Sequence, residues 1–397
     1  MRRLDLRKTQ AARLNTIRDI NRQIVLNYVR EREPISRAEI ARETALQRST
    51  ISAIVESLTE EGLVEEVGEG ESTGGRRPTL LRLRTKEAIA VGVAITPSCT
   101  TIATSDLAGR IVEQEEFPTN PDPDQTLGEV MALIRRLSLR NAGSIEAVGV
   151  SLPGLVDPST GTAVYVPYFK WRDIPIAKKI GEAVGLPVII DNDANAVALA
   201  ELWFGRPEVS DARDFILVLV AEGVGTGIIF DGQVYRGQRG AAGEFGHMVI
   251  GTEAPVPCSC GSRDCWEAFS SERAAVARYF KMSGEALRPH FGFRELVDRA
   301  LGGEDHARVA LIETAHYLGI GISNLVVGFS PEAVVVGGEI ARAWPFVEDA
   351  LRETIEHSVR RGLASAQIMP STLGEKPELR GALCLVLASK FAAAFAA

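Results

Sequence analysis

The stretch AAGEFGHMVIGTEAPVPCSCGSRDCWEAFSS, residues 241–271, gathers three of the chain's five cysteines behind a histidine. His247, Cys258, Cys260 and Cys265 form the pattern H-x10-C-x-C-x4-C, four nitrogen and sulfur donors able to close a tetrahedron around zinc. With no position left over for water, such a site is structural rather than catalytic. A Cys258–Cys260 disulfide is sterically poor at that spacing, and an odd, clustered cysteine count argues against a disulfide framework. Inert or redox-active thiols are the competing reading. The same stretch carries two carboxylates, Glu244 and Glu267, which a bound metal would hold in place. Cys99, Cys384 and the other four histidines lack ligand spacing and read as packing or surface residues.

Upstream lies VIIDNDANAVALAELWFG, residues 188–205. Its apolar start predicts a buried strand, with Asp191, Asn192 and Asp193 at the C-terminal end before a helix, where open α/β sheets place ligands. Carboxylates and amides there match paired hydroxyls, as on a sugar. N-capping of the helix accounts for one of the three.

Around this segment the strand and helix signals recur. AIAVGVAI, TTIATSD and GRIVEQEE predict three strands, followed by a helix over 124–139 and the strand EAVGVSL. FILVLVAEG, TGIIFDG and QVYRG repeat the three strands, helices follow, and PEAVVVGG is a buried strand. The order implies a duplicated α/β unit with a cleft between its halves.

The first 86 residues follow a different pattern. An amphipathic helix over 13–32 precedes PISRAEIARETALQRSTISAIVESLTEEGLV, residues 34–64, which reads as two short helices. Ser36 and Glu39 form a capping box, and Ile51, Ile54, Val55 and Leu58 make one buried stripe. Gln47, Arg48, Ser49, Thr50 and Ser52 cluster at the start of the second helix, the end that a recognition helix presents to base edges. LVEEV and TLLRLR then flank GEGESTGGRRP as a hairpin wing, whose Arg76 and Arg77 suit phosphates or a narrow minor groove. A winged helix-turn-helix that binds DNA is expected over residues 1–86, with Glu60, Glu61, Glu65 and Glu66 turned away from the DNA. A protein-interaction module is the alternative.

Charge divides along the same boundary. Through Glu87 there are 17 Lys and Arg against 14 Asp and Glu, and 27 against 38 thereafter, so a basic head precedes an acidic body. Composition, with 45% hydrophobic and 24% charged residues, is that of a globular protein. No apolar run approaches the roughly 20 residues a membrane helix needs, and MRRLDLRKTQ lacks a signal peptide's apolar core. A cytoplasmic protein without membrane insertion is expected.

These motifs together resemble the ROK family, whose name joins repressors, open reading frames and sugar kinases. GEFGH and CSCGSRDCWE resemble its zinc and sugar signature, DNDANAVALAE its catalytic segment, and SLPGLVD its loop before the sugar. Asp264 stands where the family has glycine. The resemblance implies an actin-like, hexokinase-like (ribonuclease H-like) fold over residues 87–397, with a zinc loop around 247–265. It also implies sugar contacts from Asn192, Asp193, Glu244, His247 and Glu267, and makes Asp193 the match of the kinases' base.

The nucleotide motifs have decayed. Family kinases open the body with an aspartate and a glycine-rich turn, whereas GVAITPSC has Ala94 for the acid and Thr96 and Pro97 for glycines. VAEGVGTG keeps Gly223, Gly225 and Gly227 but carries Glu222, whose charge opposes phosphate. The expectation is a former kinase, without catalytic residues, that serves as a sugar-responsive regulator, a repressor that a sugar releases from operator DNA. It would use structural zinc and act as a homodimer or homotetramer on paired half-sites. An ATP-dependent sugar kinase and a repressor governed by a protein partner are the alternatives. The aromatics of YVPYFKWRDIPI, residues 165–176, border the pocket as sugar platforms or core. The helix LCLVLASKFAAAFAA packs on the body or serves a subunit contact.

Overall fold

A computed structural model describes residues 14–70, 77–85, 89–141, 145–286, 288, 290–358 and 366–391. Contacts divide the chain into two compact units. One comprises Met1–Ile89, Ser105–Val112 and Leu387–Ala397; the other comprises Ala90–Thr104 and Glu113–Val386.

In the first unit, α1 (Leu14–Arg32), β1 (Ile35–Ser36), α2 (Arg37–Thr44) and α3 (Arg48–Glu60) lead into β2 (Val64–Glu69) and β3 (Thr79–Leu83). The predicted capping box is formed: Glu39 N donates to Ser36 Oγ at 3.2 Å, and Ser36 N to Glu39 Oε2 at 2.9 Å. These bonds satisfy amide donors that a helix start leaves free. Ala45 ends α2 in the left-handed region at φ 55°, so α3 turns away within three residues. Ile51, Ile54, Val55 and Leu58 are buried as the spacing predicts. β1, β3 and β2 form one small antiparallel sheet, the wing. Asn27 Nδ2 donates to the Phe391 carbonyl at 2.9 Å, and Arg30 lies over the Phe391 ring.

The second unit begins with β4 (Ala90–Ile95), β5 (Cys99–Ser105), β6 (Ile111–Pro118), α4 (Pro123–Arg140) and β7 (Ala147–Leu152). A small sheet of β8 (Leu155–Asp157), β9 (Thr162–Val166) and β10 (Trp171–Ile174) precedes α5 (Ile176–Val184) and β11 (Val188–Asn192). Next come α6 (Asp193–Phe204), α7 (Pro207–Ser210), β12 (Phe215–Val220), β13 (Val224–Phe230) and β14 (Gln233–Val234). After the cysteine loop stand α8 (Trp266–Ser270), α9 (Glu272–Ser283), α10 (Phe293–Leu301) and α11 (Asp305–Phe329). The chain closes with β15 (Ala333–Gly337), α12 (Trp344–Ser358), β16 (Gln367–Pro370) and α13 (Pro377–Phe391).

The two principal sheets have orders β11-β7-β4-β5-β6 and β14-β13-β12-β15-β16. Ranked by position in the chain, both are 5-4-1-2-3, and in each the first strand pairs in parallel with the fourth, and the fourth with the fifth. The duplication read from the recurrence of strand patterns is therefore present strand for strand. Each sheet has its own core: Val91, Val93, Val148, Val150 and Ile134 in one, and Val218, Val334, Leu311, Leu318 and Tyr279 in the other.

Two helices bear on earlier expectations. α11, 25 residues long, is apolar enough by length and composition to cross a membrane, so the expectation that no run approaches that length does not hold for it. Its apolar stripe, from Ala307 through Leu325, is buried in the second core, which accounts for its composition. α13 packs on the body: a Cβ on Gly149 of β7 would lie 1.9 Å from the Ala382 carbonyl, so only glycine admits the helix at that distance.

Candidate functional site

Residues 244–247 form a single 3-10 turn that presents Glu244 and His247 on one side. An antiparallel bridge between Val249 and Cys265, with Trp266 N donating to Met248 O at 2.6 Å, closes the cysteine loop on itself. The donor atoms of His247, Cys258, Cys260 and Cys265 then lie within 4.8 Å of one another. Cys258 Sγ is 3.3 Å from both His247 Nδ1 and Cys260 Sγ, and Cys260 Sγ is 3.9 Å from Cys265 Sγ. Tetrahedral zinc with ligand bonds of about 2.0–2.3 Å needs donor separations of about 3.3–3.8 Å. The donor set fits. Burial first, with the Glu267 charge adding to it, pushes the Cys258 thiol up, and burial likewise raises Cys265. A divalent cation reverses that penalty by pairing with the thiolates. Asp264 adopts φ 63° and its Oδ1 accepts the Ala254 amide at 2.9 Å. Aspartate tolerates the left-handed region better than most residues, so the missing glycine costs the turn little.

His247 faces two ways. Nδ1 points to the thiols, while Nε2 lies 3.5 Å from Glu244 Oε2. Asn192, Asp193, Glu244, His247 and Glu267, drawn from separate segments, line one cavity of about 90 Å3, together with Pro153, Gly154 and Tyr168. Desolvation, joined by the Glu244 charge, raises the Asp193 carboxyl to about 6. Glu267 is buried, and its Oε1 accepts Ser259 Oγ at 2.7 Å and Ser259 N at 3.1 Å. Ser259, between two of the cysteines, is thus the link from the cysteine loop to the cavity. Sequence reasoning missed it, although the C-S-C spacing placed it there.

The trio at the end of β11 separates by role. Asn192 caps α6, its Oδ1 accepting Asn195 N at 3.2 Å, while its Nδ2 donates to the Gly154 carbonyl. Asp193 lines the cavity. Asp191 does not: it is buried and pairs with Arg236, whose Nε and Nη2 reach Oδ2 at 2.8 and 2.7 Å. Arg236 was invisible as a site residue because 45 positions separate it from its partner.

Among the aromatics of residues 165–176, Tyr168 lines the cavity. Tyr165 lies under the Arg172 guanidinium, and Phe169 packs on Trp171 with ring centroids 4.9 Å apart.

Beside this cavity, and sharing Glu222 with it, is a second of about 1000 Å3 at the place of the decayed nucleotide motifs. Ala94, Thr96, Ser98 and Cys99 form one wall; Glu222, Glu272, Glu339 and Glu378 face it. Burial and then the charge of Glu378 raise Glu272 to about 8, and burial with the charges of Asp193 and Glu339 raises Glu378 to about 7. Its basic side chains each have a partner: Arg294 with Glu375, Lys376 with Glu116, Arg288 with Glu285, and Arg273 with the Glu222 carbonyl. Gly225 and Gly227 abut α6, where a Cβ would lie 2.9 Å from Ala194 Cβ and 2.3 Å from the Ala194 carbonyl, so packing alone requires them.

In the head, Gln47, Arg48, Ser49 and Ser52 are exposed and Thr50 is half-buried at the start of α3. Among the described residues Arg48 has no ion-pair partner; Ser52 Oγ donates back to the Arg48 carbonyl. Arg77 is exposed on the wing, 3.9 Å from Glu69, and Arg76 lies outside the described residues. Glu61, Glu65 and Glu66 pair with Arg22, Arg82 and Arg37 within the head.

Comparison with known proteins agrees with both parts. Residues 24–77 match the MarR family. The chain is 31% identical over 376 residues to the xylose repressor of Bacillus subtilis (strain 168), covering 94% of this chain and 96% of that protein. It is 28% identical over 347 residues to the DNA-binding transcriptional dual regulator NagC of Escherichia coli (strain K12), covering 85% and 84%. A ROK family transcriptional regulator, a homolog of the E. coli MLC protein, superposes with a TM-score of 0.78 at 24% identity, over 95% of this chain and 97% of that one. A ROK family glucokinase from Streptomyces griseus, solved with glucose and AMPPNP, superposes with a TM-score of 0.66 at 30% identity, over 75% of this chain and 98% of its own. The body therefore has the actin-like, hexokinase-like fold behind a winged helix, with a nucleotide site degenerate in sequence. With the ROK profile matching residues 90–389, the sheets, the cysteine loop and the cavity beside it lead to one assignment: the chain belongs to the ROK family.

Proposed function

We propose that the chain is a DNA-binding transcriptional repressor whose hold on operator DNA is released by a monosaccharide. Residues 1–86 read DNA through Gln47, Arg48, Ser49, Thr50 and Ser52 in the major groove, with Arg76 and Arg77 on the flanking backbone or minor groove. Residues 87–397 sense the sugar. The observation that carries this is the convergence of Asn192, Asp193, Glu244, His247 and Glu267 on one cavity in a chain that also carries Arg48, without an ion-pair partner among the described residues, on an exposed α3 face. The carboxylates accept sugar hydroxyls, and His247 Nε2 reaches the sugar while Nδ1 binds zinc. Zinc supplies no chemistry here; held by His247, Cys258, Cys260 and Cys265, it stiffens the loop that positions Glu244, His247 and Glu267. The protein works in the cytoplasm as a homodimer or homotetramer, since paired heads gain affinity and palindrome specificity together.

Release requires that sugar favour a conformation whose heads fit the operator less well. The name of the B. subtilis relative makes D-xylose the first effector to test. DNA selected by the protein from a random library is titrated with protein, then with D-xylose, D-glucose or N-acetyl-D-glucosamine. The expected outcome is that one of them weakens binding at constant salt. Operator binding that no sugar alters would sink the sensor.

A kinase is the second reading, favoured by Asp193, whose carboxyl at about 6 is poised as a base. Against it stand the four facing glutamates of the larger cavity and the pairing of its basic side chains. Sustained ADP release with any of these sugars, abolished by Asp193→Asn, would establish it instead.

A further inference from the structure

We propose that Arg18 at the start of α1, together with Arg2, Arg3, Arg7 and Lys8 before it, forms a second DNA contact that grips phosphates beside the recognition helix. This rests on the DNA-binding role of the head. Attraction to DNA comes chiefly from Lys and Arg side chains that neutralise phosphates and release their counterions. The head holds that charge unevenly: residues 1–13 carry five Lys and Arg against one Asp, whereas residues 14–87 carry 12 Lys and Arg against 13 Asp and Glu. Most arginines among the described residues of the head are also occupied. Arg22, Arg37 and Arg82 pair with Glu61, Glu66 and Glu65, Arg30 pairs with Glu31, and Arg42 and Arg77 lie 3.9 Å from Glu43 and Glu69. Arg18 is exposed and, like Arg48, has no ion-pair partner among the described residues. The surplus of positive charge therefore lies ahead of α1.

The course of α1 brings that surplus to the face that reads DNA. Arg22 pairs with Glu61, just past the last turn of α3. About one turn earlier in α1, Ile17 and Arg18 line one groove with Thr50 and Ala53 from the first turns of α3. α1 thus runs alongside α3 in the same direction, and its start lies by the end of α3 that bears Arg48 and Ser49. Ser52 and Ala53 are exposed there, so Arg18 flanks the surface that enters the major groove. Residues 1–13 lie outside the described residues and join the fold at this point. Thirteen residues reach at most about 45 Å, and phosphates recur about every 3.4 Å along one strand, so two basic pairs three residues apart can meet several of them. Phosphate contacts carry no sequence information. The element sets how tightly the head holds DNA and leaves the choice of operator to α3.

The test compares the full-length, sugar-free wild type with a quadruple variant, Arg2→Ala, Arg3→Ala, Arg7→Ala and Lys8→Ala, with its Arg→Lys counterpart at the three arginines, and with Arg18→Ala. Affinity for the selected operator and for a random duplex of equal length is measured from 50 to 300 mM salt, alongside melting temperature. In the quadruple variant the slope of log affinity against log salt is expected to become shallower by about 3, with affinity about a hundredfold lower near 100 mM salt for both duplexes. Arg18→Ala makes the slope shallower by about 1, and the lysine variant keeps the wild-type slope. Melting temperature stays that of wild type in every variant. Wild-type slope and affinity in the quadruple variant overturn the inference. So does a loss confined to the operator, which would make these residues readers of bases, or a lower melting temperature, which would assign their charges to the fold. A wild type that binds neither duplex removes the DNA-binding reading of the head, and this contact with it.

Discussion

The two adjoining cavities of the body differ in how their polar groups are employed. In the smaller, side chains from separate segments converge, and Ser259 of the cysteine loop holds Glu267. In the larger, the basic groups are each paired and glutamates line the wall, with Glu272 and Glu378 raised to about 8 and 7 by burial first and then by neighbouring carboxylates. Here the smaller cavity gathers the polar side chains of several segments, while the larger sets four basic side chains beside its glutamates. A binding site is recognised by polar groups held in place without partners, not by volume.

The widest break in that contrast should come from the metal. Zinc removal by a chelator, or Cys258→Ser, is expected to abolish sugar affinity and lower the melting temperature of the body, since structural zinc contributes on the order of 10 kcal/mol to the ordering of its ligands. Operator binding by the head should survive, and metal content, melting and DNA affinity measured on one preparation check all three. Zinc-free protein with normal sugar affinity would separate the loop from the cavity.

A smaller effect is expected at Arg236. Arg236→Ala leaves Asp191 buried without its cation, for about 2–3 kcal/mol of stability, discounted for the guanidinium's partial exposure. Because Asp191 precedes the capping Asn192, sugar affinity should fall as well, and Asp191→Asn in the Arg236→Ala background should restore part of the melting temperature. Additive losses in the double variant would show that the two residues do not act as a pair.

The larger cavity is sharpened by pH. Glu272, Glu378 and Asp193 titrate in the folded protein above their ordinary values, so their contribution is fully present below pH about 4 and is lost as pH rises through about 6 to 8. Stability should therefore fall between pH 5.5 and pH 8. Glu272→Gln should flatten that slope and raise the melting temperature at pH 8, an effect on the order of 1–2 kcal/mol. A slope unchanged in Glu272→Gln would mean that Glu272 is not held above its ordinary value in the folded protein.

Much of this was legible locally. Ser36 and Glu39 announce a helix start, Ile51 through Leu58 a buried stripe, and His247 with three cysteines a metal loop, because each pattern depends on neighbours within about a dozen residues. The strand patterns gave the duplication for the same reason. Composition alone does not separate α11 from a membrane helix, since burial by tertiary neighbours and burial in lipid demand the same residues.

The sequence by itself determined which segments become helix, strand, wing and metal loop, and which residue types were available for a sugar. Only the tertiary structure decided which of those polar groups are spent on the protein and which stay free. Asp191 went to Arg236, Asn192 to a helix cap, and Glu267 Oε1 to Ser259, while Asp193, Glu244 and His247 were left lining the cavity. The reason is physical: a hydrogen bond forms or fails over a few tenths of an ångström, and that distance is set by packing between segments far apart in the chain.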